Sequence, residues 1–121
     1  FMLRLVLRIK GTDRVILITD SCPFDGQARE GVAQAPDLGY DSEGHLAGSK
    51  ITMDQACRNL MKHTAYGLCH AIKFATINPA RMARLDREVG SLEPGKKADL
   101  LIMDDMVNIR SVFLEGEKVA L

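Results

Sequence analysis

Tryptophan is absent from the 121 residues and aromatic side chains make up only 5% of them, so the stacked aromatic platforms that hold single-stranded nucleic acid are not expected. An excess of one charge is missing too: 16 Lys and Arg balance 16 Asp and Glu, for a formal net charge of zero. No global field then favours nucleic acid or an anionic membrane surface. The longest apolar runs, such as Val15–Ile18 and Leu100–Met103, have four residues, against the roughly 20 that a membrane-spanning helix requires. No signal-peptide order of basic, apolar and small residues is visible at the start, and Phe1 in place of a Met points to a fragment or a processed end. The three cysteines, Cys22, Cys57 and Cys69, are odd in number and lack C-x-x-C spacing. A disulfide framework and a Cys-based zinc site are both disfavoured, and a reducing, cytoplasmic setting fits best. What is there, 46% hydrophobic and 26% charged residues, is the composition of a single soluble globular domain.

Along the chain, Phe1–Ile9 is apolar apart from Arg4 and Arg8, and Lys10-Gly11 supplies a helix stop, which predicts a short buried helix. Val15–Ile18 is continuous, largely β-branched and too short for a helix; it reads as a strand buried on both faces, ending at Thr19-Asp20-Ser21. From Cys22 to Ser49, Gly and Pro break every periodicity, and only a short hairpin around Val32–His45 is expected. Thr52-Met53-Asp54-Gln55 has the form of a capping box, so a helix should start at Met53, with Cys57 on its apolar face. Gly67 divides this helix from a second one carrying Leu68, Ala71, Ile72 and Ala75. Asn78-Pro79 then predicts an N-cap and a short third helix through Arg84. Ala98–Met103, Ile109–Leu114 and Val119-Ala120 read as strands, the last two joined by a tight turn at Glu115-Gly116. The change from helices to strands sets a boundary near residue 87.

Asp20 is the first candidate for chemistry, since a carboxylate at the C-terminal end of a buried parallel strand lies where α/β barrels build active sites. The competing reading makes it a turn cap through the amides of Ser21 and Cys22, and local sequence leaves both open. His45, His63 and His70 show neither H-x-H nor H-E-x-x-H spacing. His63 and His70 read as solvated surface, and His45, in the long loop beside Leu46–Ser49, as a residue for which ligand contact is the lesser of two readings. No self-sufficient metal site is visible. Gly44–Ser49 is small and flexible but does not match a P-loop, Lys96-Lys97 reads as a solvent-facing pair, and no serine stands in a G-x-S-x-G elbow.

Taken in order, Val15–Asp20, Leu46-Ala47-Gly48-Ser49, Thr52-Met53-Asp54, the A-T-x-N-P-A segment Ala75–Ala80 and the G-x-L-x-x-G-K-x-A-D-L segment Gly90–Leu100 resemble the end of an amidohydrolase-superfamily enzyme. The last two motifs are general to the superfamily, whereas Thr19-Asp20 with Leu46–Ser49 and Thr52–Asp54 is similar to its N-acetylglucosamine-6-phosphate deacetylase branch. That resemblance implies an α/β fold: residues 1–87 as the C-terminal part of a (β/α)8 TIM barrel, and 88–121 as the C-terminal strands of a small β-sandwich. It implies Asp20 as general base and acid, and Leu46, Ala47 and Gly48 as substrate-binding residues. It also implies a divalent metal, zinc or iron, held by residues upstream of Phe1; a sugar-phosphate substrate; and a homodimer, with no nucleic acid or membrane partner. A barrel takes about 250 residues, so 121 hold only part of one. Two other readings stay open: a different amidohydrolase, of adenine deaminase or dihydroorotase type, and a catalytically silent fragment serving as a structural or association module.

Overall fold

The computed structural model describes residues 1–120. Three helices and an extended segment form its centre. Helix α1, Met2–Lys10, stops at Gly11, whose N–H donates to the carbonyl of Leu7 and whose positive φ of 72° then turns the chain out of the helix. Leu7 is the one residue of α1 that is buried, so most of the helix's apolar surface is open. Helices α2, Met53–His63, and α3, Leu68–Ala75, pack side by side. Their inner faces supply Cys57, Leu60, Ala71 and Phe74 to the core, with Leu7 and Val107 completing it. Cys57 is a core residue, as its helical spacing predicted.

Val15–Thr19 is extended but is not a ladder strand, which corrects the expectation of a paired, doubly buried strand. Among the described residues only the N–H of Leu17 finds a backbone acceptor in this stretch, the carbonyl of Phe74. Val15 and Leu17 pack on the core while Ile18 is exposed. A strand needs a neighbour to supply its hydrogen bonds, and here a helix end lies on one side only.

Two smaller sheets follow. Strands β1, Leu38–Tyr40, and β2, Leu46–Ser49, form an antiparallel hairpin with a bulge at Gly39/Tyr40. It lies further along the chain than the expected Val32–His45. Strands β3, Leu100–Met103, β4, Ile109–Leu114, and β5, Glu117–Val119, make an antiparallel meander. Glu115 and Gly116 both have positive φ, the tight hairpin turn that the sequence predicted. Val107 ties this sheet to the helices: its side chain enters the core and its carbonyl accepts a hydrogen bond from Arg58 Nη1 of α2 at 3.1 Å.

Two helix starts differ from expectation. Thr52 precedes α2 but makes no side-chain cap bond, and Gln55 turns forward to Asn59 and Arg58. The capping box is present in sequence and not formed, and Gln55 is engaged with Arg58 and Asn59 instead. The third helix, α4, runs Ile77–Met82 rather than through Arg84, and Thr76, not Asn78, holds the N-cap position. Asn78 lies inside the first turn, 3% exposed, and its Nδ2 donates to the carbonyls of Thr12 at 2.8 Å and Val15 at 2.7 Å. The side chain thus staples α4 to the extended segment that leads to Asp20.

Candidate active site

The site is built where the extended segment meets β2. Ser49, the last residue of β2, donates its N–H to the carbonyl of Asp20 at 2.8 Å and accepts from the N–H of Cys22 at 3.0 Å. Its hydroxyl donates to the carbonyl of Thr19 at 2.5 Å. The residues 19–22 therefore run alongside Gly48-Ser49, with a parallel bridge between Ser21 and Ser49. Gly48 is required here: a Cβ at that position would lie 2.3 Å from the Asp20 carbonyl oxygen. Asp20, Ala47 and Gly48, singled out separately from the sequence, are thereby brought together at one strand end, and Leu46 lies on the same strand, 59% exposed.

Asp20 itself has a positive φ of 50°, a left-handed conformation that Asp tolerates better than most residues but that still costs energy. Its carboxylate is exposed and, among the described residues, takes no hydrogen bond. The two amides that a turn-capping Asp would use are engaged elsewhere: Ser21 N–H donates to Thr19 Oγ1 at 3.3 Å and Cys22 N–H to the Ser49 carbonyl. With both amides engaged, the turn closes without the Asp20 side chain, which tells against the turn-cap reading.

The histidines separate. His45 stands at the foot of β2, its Nδ1 3.3 Å from Asp41 Oδ2 and its Nε2 2.8 Å from Arg29 Nη1. Because Arg29 can only donate, Nε2 accepts, and Nδ1 carries the proton toward Asp41. The backbone amide of His45 is the main cause that holds the Asp41 carboxyl below its ordinary value, helped by the Glu43 amide and the His45 ring. His63 is exposed at the end of α2. His70 is not the solvated residue expected: its ring meets Tyr66 edge-on at 4.8 Å, and Tyr66 in turn meets Phe74. Lys96 is also a correction, for its side chain is only 10% exposed and its ammonium donates to Ser91 and Glu93, whereas Lys97 is exposed.

Two open clefts of about 500 Å³ lie elsewhere, one lined by Gln27, Gln34, Tyr40 and Lys50 among others, the second by Arg81, Arg87, Glu93 and Lys96. Neither includes Asp20 or residues 46–48, which lie apart from both clefts. Among the described residues no three His, Cys, Asp or Glu side chains stand together as a metal ion needs, so these residues do not by themselves fit one. Sequence reasoning missed two contributors, Ser49 and Asn78. Ser49 stood in view inside Leu46–Ser49, but only the fold shows that it grips Asp20.

The amidohydrolase family model matches residues 3–119. An N-acetylgalactosamine-6-phosphate deacetylase of Escherichia coli O157:H7 is 31% identical over 112 residues, covering 87% of this chain and 30% of that protein. An adenine deaminase of Desulforamulus reducens is 47% identical over a shorter stretch of 66 residues, 51% of this chain and 11% of its own length. Among solved structures, N-acetylglucosamine-6-phosphate deacetylase from Pasteurella multocida superposes with a TM-score of 0.83 at 28% identity, over 99% of this chain and 33% of that one. The chain thus spans about a third of the length of each of the two deacetylases.

Proposed function

The chain belongs to the amidohydrolase family, and from that premise we propose that it is the C-terminal portion of an enzyme that deacetylates N-acetylglucosamine 6-phosphate to glucosamine 6-phosphate and acetate. On this reading residues 1–87 are the end of a (β/α)8 barrel, Val15–Thr19 its last strand, and residues 88–121 the C-terminal strands of a β-sandwich. The half-paired extended segment and the open apolar face of α1 support this, since both are surfaces a complete barrel would cover.

The observation that carries the functional reading is the Asp20 carboxylate, held at a strand end beside Leu46–Gly48 with its neighbouring amides satisfied by other groups. A carboxylate free of structural duties can take a proton from the attacking water and return it to the leaving amine. On this reading Leu46, Ala47 and Gly48 beside it bind the sugar. The family points to a divalent metal; its identity as zinc or iron, and ligands drawn from outside these residues, belong to the proposal, as do a homodimer and a cytoplasmic setting. The three free cysteines agree with that setting.

In the full-length protein, Asp20→Asn keeps the shape of the side chain but removes its basicity, and kcat is expected to fall about 10²- to 10⁴-fold. Parent activity should be compared on N-acetylglucosamine 6-phosphate, its galactosamine epimer and adenine. Parent-level turnover by Asp20→Asn sinks the assignment of Asp20. The stretch of 66 residues shared with an adenine deaminase favours a second reading, another amidohydrolase, which ammonia release from adenine without acetate release from either sugar would establish.

A further inference from the structure

We infer that Ser49 is the positioning residue of this site, acting through its hydroxyl on the main chain of Asp20; the inference rests on Asp20 being the general base. The direction of a side chain follows from the orientations of the two peptide planes that flank its Cα. At Asp20 both planes are held by the same residue. The carbonyl of Thr19, which belongs to the plane before Asp20, accepts from Ser49 Oγ. The carbonyl of Asp20, which belongs to the plane after it, accepts from Ser49 N–H. The N–H of Cys22 closes the arrangement on the Ser49 carbonyl.

That double hold explains how a residue other than glycine keeps a left-handed φ of 50°. Conformations of this kind persist only where the surroundings over-determine them, and they gather at functional sites. A hydrogen bond from a main-chain amide would form with any residue at position 49. The bond to Thr19 needs a hydroxyl, so it is the part that the sequence specifies. Ser49 Oγ also accepts from the N–H of Ile51 at 3.3 Å, which fixes the hydroxyl's own rotamer and directs its proton at Thr19.

Ser49→Ala in the full-length protein frees the plane before Asp20 and the N–H of Ile51, and leaves the main-chain bonds in place. The carboxylate then samples directions away from the reacting atoms, and kcat is expected to fall about ten- to a hundredfold. KM should stay within about twofold, because nothing that touches the sugar is lost. Ser49→Thr retains the hydroxyl and is expected to restore kcat to within about threefold of the parent. If Asp20→Asn is inactive while Ser49→Ala keeps parent kcat, the inference is overturned and the assignment of Asp20 stands. A Ser49→Ala protein in which kcat, KM and melting temperature all deteriorate, unrescued by Thr, also overturns it in favour of a merely structural serine. Parent-level activity in Asp20→Asn instead removes the reading on which the inference rests.

Discussion

Replacing Asn78 tests the link between the helices and the segment that carries Asp20. Its amide Nδ2 spends both hydrogens on the carbonyls of Thr12 and Val15, and its Oδ1 is buried with no partner among the described residues. Each hydrogen bond contributes about 1 kcal/mol net, so Asn78→Ala forfeits about 2 kcal/mol from the pair. Stranding two carbonyls adds a cost, and removing the orphaned Oδ1 offsets it, leaving an expected loss of about 2 kcal/mol. Asn78→Asp is the sharper probe. It keeps the volume but sets a carboxylate 2.7 to 2.8 Å from two carbonyl oxygens, and should cost about 1–2 kcal/mol more than alanine at neutral pH. The folded state then favours the protonated acid, whose O–H restores one donor. The pKa is raised on folding, so the Asp variant should regain stability as pH falls toward the unfolded value of about 4. Urea denaturation of the full-length protein between pH 4.5 and 8, compared at constant m, reads all three proteins. An Asn78→Ala midpoint equivalent to less than about 0.5 kcal/mol, or an Asp variant as stable as Ala at pH 8, would refute the staple.

Phe74 is fully buried at the centre of the core, so Phe74→Ala should cost about 3–5 kcal/mol, and a protein that melts at the parent temperature would contradict the core described here. Burial, chiefly, with the Asp54 charge behind it, pushes the Cys57 thiol above its ordinary value, while Cys69 is exposed. A thiol reagent at pH 8 should therefore label Cys69 in the folded protein and reach Cys57 only after denaturant is added; rapid labelling of Cys57 would count against its burial. Because the thiol's folded pKa is raised, the folded state is also expected to lose stability as pH climbs through the ordinary thiol range and above it, and Cys57→Ala should flatten that loss. The Thr52 hydroxyl first, then Arg58, holds the Asp54 carboxyl below its ordinary value. That contribution is present at neutral pH and is lost as pH falls below about 4, and Arg58→Ala, which also severs the bond to the Val107 carbonyl, should cost about 1–2 kcal/mol at pH 7 and less in acid.

Local signals in the sequence were reliable wherever a residue's task was itself local. Gly11 ends α1, Glu115-Gly116 turns β4 into β5, and the helical spacing of Ala56, Cys57 and Leu60 buries one face of α2. They misled where a side chain had distant work to do. Asn78-Pro79 has the form of a cap, yet the amide of Asn78 reaches 66 and 63 residues back along the chain to Thr12 and Val15. Thr52–Gln55 has the form of a capping box, yet Gln55 joins the polar row of Asn59 and Arg58. Val15–Thr19 reads as a strand because β-branched apolar residues suit one, but a ladder depends on neighbours that its own composition cannot provide.

Asp20 follows the same logic from the other side. Strand-end position and residue type made it a candidate, and the same two facts made it a plausible turn cap. What tells against the cap is where two amides, those of Ser21 and Cys22, find their acceptors, one on Thr19 and one on Ser49 of β2. The Asp20 carboxylate stays exposed and, among the described residues, takes no hydrogen bond, while the chain around it is fixed by other groups. That separation suits the proposed general base, since a side chain that also closed its own turn would lose the turn's hydrogen bonds each time it was protonated.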